Sequence, residues 1–335
     1  MNSRIKLIAE TAWHHEGNFD FIKKLVSEIV VKSKADFLKF HLSIDLDEYM
    51  DKRYPIYDTL KSWMLNTDQW NELITETLAG GKDIMLLFND QKAIDFGMKF
   101  HPKLIEIHSV ALNDVYLLEK LKDNISSDQK VVLGIGGSDL YEIENAIETL
   151  AHDNIVLMFG FQNYPTKYED INLDKVRRIK GMYPDFEFGY ADHTAWNEEN
   201  NILITLLGAA TGMQYVEKHV TNIIGQQRCD WQAAVTIDTF NEIADKLKLL
   251  EALNGNGLLK MNEGERKYSV FGPMKKAAIL TRDVNAGEIF SLDMITFKRT
   301  GDTSDYSQLE ILNLIGTKII RNLDKDTIIC KKHLT

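Results

Sequence analysis

The chain has 335 residues, 44% of them hydrophobic and 27% charged, with a formal net charge of −11. That length accommodates one large α/β domain and a small one, and the acidic balance argues against a general nucleic-acid or anionic-membrane surface, which needs clustered Lys and Arg. Cys229 and Cys330 are the only cysteines, which leaves no disulfide framework and no thiolate zinc site.

Residues 5–9 form a short apolar run, expected as the first strand. Glu10 follows, and then a polar loop from Thr11 to Asn18. Residues 19–32 carry Phe19, Ile22, Leu25, Val26 and Ile29 at helical spacing. The second strand, 36–40, has Lys39 and His41 at its end. Residues 43–67 are polar and too long for an ordinary strand–helix connection, so a functional loop is expected there. Strand and helix then alternate: helix 68–79 stopped by Gly80-Gly81, strand 84–88, helix 91–99, strand 104–107, helix 114–121, strand 130–135, helix 139–150, strand 155–159, helix 173–182, strand 186–190, helix 200–210, strand 213–219 and helix 238–253. About eight strand–helix units in roughly 250 residues match a (β/α)8 barrel; a doubly wound open sheet shows the same alternation. No signal peptide opens the chain and no apolar run is long enough for a bilayer, so a cytoplasmic protein is expected.

The texture changes after Gly255. The expected organisation is a barrel domain over 1–255, a linker over 256–268 and a small, mostly-β domain over 269–335. Within the last, residues 282–289 echo 321–328: each has a basic residue, a turn and an apolar run. The small core suggests that this domain leans on the barrel or on a second subunit.

In a strand–helix–strand unit both strand ends reach the same rim. His193 and His219 therefore stand side by side at the C-terminal edge, where α/β proteins keep their sites. Two adjacent imidazoles with Asp192 and Glu217 beside them suit a divalent metal with open positions. Glu10, Lys39, His41, His108, Ser109, Asn163 and Tyr164 fall on the same rim. Gly134–Ser138 reads either as a phosphate cradle or as a tight turn.

These pieces together resemble the sialic acid synthase (N-acetylneuraminate synthase) family, end to end. Ile8-Ala9-Glu10, Leu38-Lys39-Phe40-His41, Leu117-Leu118-Glu119, Tyr164-Pro165-Thr166 with Tyr168-Glu169-Asp170, Gly189–Thr194 and Glu217–Thr221 carry the resemblance in the barrel. Lys298-Arg299-Thr300-Gly301 carries it in an antifreeze-like (SAF) tail. The resemblance implies a TIM barrel followed by the SAF domain, in a domain-swapped homodimer with no nucleic-acid or membrane partner. It implies condensation of phosphoenolpyruvate with an N-acetylated amino-sugar aldehyde, giving a nonulosonic acid for surface polysaccharide. His193 and His219 would hold Mn2+, or Mg2+ or Co2+, as Lewis acid. Glu10, Lys39 and Glu217 would act in catalysis, Lys39 meeting the donor's charge. Ser109, Asn163, Tyr164, Asp230 and Arg299 would bind substrate, Arg299 from the second subunit. The chain departs from the family mainly on the donor side: Glu106 stands where the family has a lysine, Gly134-Ile135-Gly136 replaces Ser-Thr-Gly, Ala191 replaces a serine, and His41 replaces a glutamine. A metal-dependent aldolase or lyase with another donor, or a sugar-binding homologue without turnover, are the alternatives.

Overall fold

The computed structural model describes residues 4–160, 163 and 165–334, which form two compact units, 1–256 and 257–335. In the first, eight parallel strands follow in chain order: β1 (Lys6–Glu10), β2 (Phe37–Leu42), β3 (Asp83–Phe88), β4 (Leu104–Ile107), β5 (Lys130–Gly134), β6 (Ile155–Phe159), β7 (Glu187–Asp192) and β8 (Tyr215–Thr221). β1 pairs with β2 on one side and with β8 on the other, so the sheet closes. The closed barrel decides between the two architectures that the alternation allowed.

Alternation along each strand sorts the barrel's two cores. Ile8, Phe37, Met85, Leu104, Val132, Val156, Met158, Ala191 and Tyr215 form a cluster inside the barrel. The opposite-parity residues, such as Leu7, Leu38, Ile105 and Val216, pack against the surrounding helices. Helix ends follow their caps: Asn18 accepts from Phe21 N, and Asn66 and Asp139 each close a capping box. No helix among the described residues is long and apolar enough to cross a membrane.

The long segment after β2 is more ordered than its polarity suggests. It holds two short helices, Leu46–Tyr49 and Tyr57–Trp63. Leu46, Tyr57 and Leu60 bury themselves with Trp13 in a small cluster of their own, which Tyr49 and Met50 border. Gly134–Ser138 is a tight turn: Ser138 N donates to Ile135 O at 3.3 Å, and Gly137 sits at φ +80°, where a side chain is strained. Gly134 is required by close approach, since a Cβ there would meet Ser109 N at 2.9 Å.

In the second unit a strand at Ala277–Leu280 pairs antiparallel with one at Ile295–Lys298, over a core that includes Leu280, Phe290, Ile311 and Ile329. The echoing segments face each other reciprocally. Val284 and Leu323 exchange both backbone hydrogen bonds at 2.9 Å. Ala286 N donates to Asn322 Oδ1, and Lys325 N to Asp283 Oδ1. Arg299 is exposed and donates to Pro273 O through Nε at 2.9 Å and Nη2 at 2.6 Å.

Candidate active site

The parity that fills the barrel with apolar side chains continues upward into polar ones. Two residues beyond Ile8, Phe37, Leu104 and Tyr215 stand Glu10, Lys39, Glu106 and Glu217; one step further stand His41, His108 and His219. Ala191 is followed in the same way by His193. Glu10 is in register with Lys39 on one side and with His219 on the other. The rim therefore gathers these groups because each strand simply keeps alternating.

Lys39 is the centre of the cluster. Its Nζ lies 2.6 Å from Glu10 Oε2 and 2.6 Å from Glu106 Oε2, and donates to both Glu217 oxygens at 3.0 Å. All four side chains are at most 4% exposed. Glu10 Oε1 accepts from Ala12 N at 2.7 Å and lies 3.0 Å from His41 Nε2. Glu10 Oε2 and Glu106 Oε2 are each paired directly with the ammonium. Burial works against the Lys39 charge, but Glu10, Glu106 and Glu217 outweigh it and hold its pKa well above the ordinary value. Burial pushes Glu10 up, yet Lys39 and His41 bring it well below the usual carboxylate range. Glu217 goes the other way, held well above that range by burial despite Lys39.

His193 and His219 stand edge to face, with ring centroids 5.0 Å apart. Burial lowers His193 to about 4 and takes His219 well below its ordinary value, so both rings are neutral near pH 7. Neutral imidazole is the ligating form, so the pair fits the divalent ion that the resemblance implies. Among the described residues no group of three or more His, Cys, Asp or Glu is arranged to hold a metal. Asp192 faces away from them. It lies behind the sheet, accepting from Lys218 Nζ at 2.6 Å and Thr205 Oγ1 at 2.5 Å through Oδ2, and from Thr194 through Oδ1. Asp192 thus supports the strands that bear the two histidines, and Glu217 is the carboxylate on their side of the sheet.

Two further histidines of the opening loop serve structure. His14 Nδ1 donates to Cys229 O at 2.9 Å, which leaves Nε2 to accept from Thr221 Oγ1 at 3.0 Å. His15 Nδ1 accepts from Gly17 N and its ring packs on Trp70.

Above the cluster opens a cavity of about 680 Å³, bordered by Trp13, His41, Tyr49, Tyr54, His108 and Asp230, among others. Asp230 is in the left-handed region at φ +61°, and burial raises its carboxyl pKa. Ser109 opens a 3-10 turn just beyond His108. Asn163 donates to Asp170 Oδ2 at 3.0 Å. Tyr164 lies outside the described residues. Glu106 stands out in the sequence only as a departure from the family pattern; two-residue alternation from Leu104 is the signal that turns it inward.

Residues 26–258 match the model of the NeuB family. The chain belongs to the NeuB family. Residues 275–335 match the SAF domain. An uncharacterized protein of Methanocaldococcus jannaschii is 30% identical over 328 residues, covering 96% of this chain and 92% of that protein. The N,N'-diacetyllegionaminic acid synthase of Campylobacter jejuni is 25% identical, covering 96% of this chain and 98% of that protein. Among solved structures, a putative spore coat polysaccharide biosynthesis protein E from Chromobacterium violaceum superposes with a TM-score of 0.82 at 19% identity, covering 99% of this chain and all of that one. Several of this chain's relatives are synthases by name, the Campylobacter jejuni protein among them.

Proposed function

We propose that the chain forms a carbon–carbon bond between a three-carbon enol donor and an N-acylated amino-sugar aldehyde, giving a nonulosonic, sialic-type acid for surface polysaccharide. The observation that carries this is the Lys39–carboxylate cluster gathered on the same barrel rim as the neighbouring imidazoles of His193 and His219. The activity named for the Campylobacter jejuni relative supports the product class.

A divalent ion held by His193 and His219 would supply Lewis acidity at the acceptor's carbonyl oxygen. The chain's own groups do the rest. Trp13, Tyr49 and Tyr54 offer apolar faces to the sugar, and Asp230 accepts hydrogen bonds from its hydroxyls. Glu217 is the carboxyl placed to exchange a proton with the new alkoxide. Lys39 fixes Glu10 and Glu217 in place and stabilises negative charge as it develops.

The test is product detection. The chain is incubated with N-acetylmannosamine, Mn2+ and either phosphoenolpyruvate or pyruvate, and a nine-carbon 2-keto-3-deoxy acid is sought by mass spectrometry. Its formation, lost in Glu217→Gln, is the expected result. No product with either donor and any N-acetylhexosamine would overturn the reading.

A further inference from the structure

We infer that the donor carries its phosphate into the small pocket where β5, β6 and β7 end, and that Lys175 is the cation that receives it. This rests on the reading of the mouth as a carbon–carbon bond-forming site with an enol donor, and it names the residue that holds the donor's phosphate.

An enol reverts to its keto form unless its oxygen is blocked, and a phosphate ester blocks it. A phosphate monoester carries about 1.5 to 2 negative charges near pH 7, so it is held best by a cation that is not already paired. Lys39 is occupied: Glu10 and Glu106 each meet its ammonium at 2.6 Å, and Glu217 accepts from it at 3.0 Å. Lys218 lies behind the sheet with Asp192, and Arg228 is 3.5 Å from Glu16 and over the Phe21 ring. The 680 Å³ cavity offers no alternative. Glu48, Asp51, Asp114 and Asp230 border it, and among the described residues no lysine or arginine does. That cavity suits an uncharged sugar.

The second pocket, of about 150 Å³, is bordered by Gly136 and Gly137 after β5, Gly160 after β6, and Ala191 and His193 on and after β7. Lys175, in the first turn of helix Leu173–Met182, is its cation among the described residues. The Lys175 ammonium enters no ion pair with a described residue, whereas Arg177, two residues on, is held by Asp174 at 2.5 Å. Asp170 borders the same pocket, but its Oδ2 accepts from Asn163 Nδ2 at 3.0 Å and it makes no ion pair with Lys175. A divalent ion on His193 and His219 would add positive charge from the strand side.

The turn after β5 adds backbone donors. The N–H groups of Gly136 and Gly137 donate to no described residue. Nothing lies within 4 Å of where a Cβ on Gly137 would stand, so the turn is uncovered. Consecutive free amides of this kind cradle phosphate. Lys175 is exposed, and its flexible four-carbon stem lets it close over the phosphate without a change of backbone. The smaller pocket fits the smaller reactant. His193 borders it, while His41 and His108 border the larger cavity, so the two reactants approach the rim cluster from different sides.

Calorimetry tests this, with phosphoenolpyruvate titrated into the full chain in the presence of Mn2+. Lys175→Met should weaken its binding about tenfold, and Lys175→Arg should keep it within about threefold of the wild type. Inorganic phosphate should compete with phosphoenolpyruvate in the wild type and lose most of that effect in Lys175→Met. Arg177→Met removes the same charge from the same helix and should leave affinity unchanged. Equal affinity in the wild type and Lys175→Met would overturn the inference and leave the proposed function standing. An equal loss in Arg177→Met would also overturn it, because the helix would then act only through its diffuse charge. No binding of phosphoenolpyruvate by wild-type protein that binds Mn2+ would overturn it as well, and product detection with pyruvate then decides the proposed function separately.

Discussion

Lys39 and Lys218 are both buried, on opposite faces of the same sheet, and they are held in opposite ways. Lys218 meets a single carboxylate, Asp192, whose oxygens are also filled by Thr194 and Thr205. One charge cancels one charge and the lone pairs are used. Lys39 meets three carboxylates at 2.6–3.0 Å, three acidic groups around one positive. A balanced pair needs nothing further and belongs to the fold. An unbalanced cluster is tolerated where a ligand or a proton is to be handled.

The largest effect that this comparison implies is at Lys218. Lys218→Met removes one partner of a fully buried pair and should cost about 3–5 kcal/mol. Urea unfolding reads it; a loss below about 1 kcal/mol would break the distinction.

Acid comes second, and it acts on the mouth's side. Burial, with His41 next, takes His15 down to about 3, and burial with His41 does the same to His108. Both values lie below the unfolded one, so between about pH 6.5 and pH 3 the unfolded chain binds more protons and stability falls as acid is added. At pH 5 the loss is about 2 kcal/mol for His15 and less for half-buried His108. Asp192 is lowered by Lys218 and its threonine partners against the pull of burial. Its contribution is lost only as the pH falls below the ordinary aspartate range. Without Lys218, burial is left to raise Asp192, so the cost of Lys218→Met should be smaller at pH 5 than at pH 7, while the wild type itself weakens. Thermal melts of both proteins at the two pH values check this.

A smaller, opposite change is expected at Glu106. Glu106→Gln relieves like-charge crowding and should raise stability by about 1 kcal/mol, where Asp192→Asn lowers it. The smallest effect on stability is at the imidazole pair. His193→Ala and His219→Ala should stay within about 1 kcal/mol of the wild type, yet each should abolish Mn2+ binding by calorimetry. Unchanged Mn2+ affinity in both variants would remove the pair from the metal's ligands.

Much of this architecture is legible in the amino-acid sequence. Eight apolar runs separated by helical stripes spell out the barrel, and Gly189–Thr194 with Glu217–Thr221 brings the two histidines together. The inward face is legible too, because counting by twos from Leu104 reaches Glu106 and counting from Ile8 reaches Glu10. The same count sends Asp192 to the far side, away from the metal-side role that its neighbour His193 suggests. Local pattern does not reveal that Glu10, Glu106 and Glu217, from three distant strands, all converge on Lys39. Nor does it reveal that His14 is tied to Cys229 and Thr221. Polarity also hides the two short helices between β2 and the helix Thr67–Ala79, whose apolar residues are few and bury themselves locally.

The reciprocal bonding of Val284 and Leu323 sets how the small domain must assemble. Each echoing segment receives from the other the hydrogen bonds that it cannot make itself. Neither is a folding unit alone, and the chain between them has to close as a loop before either gains anything. The domain therefore forms in a single all-or-none step. The amides of Val284 and Leu323 should exchange with solvent at one common rate, because only opening of the whole domain exposes either.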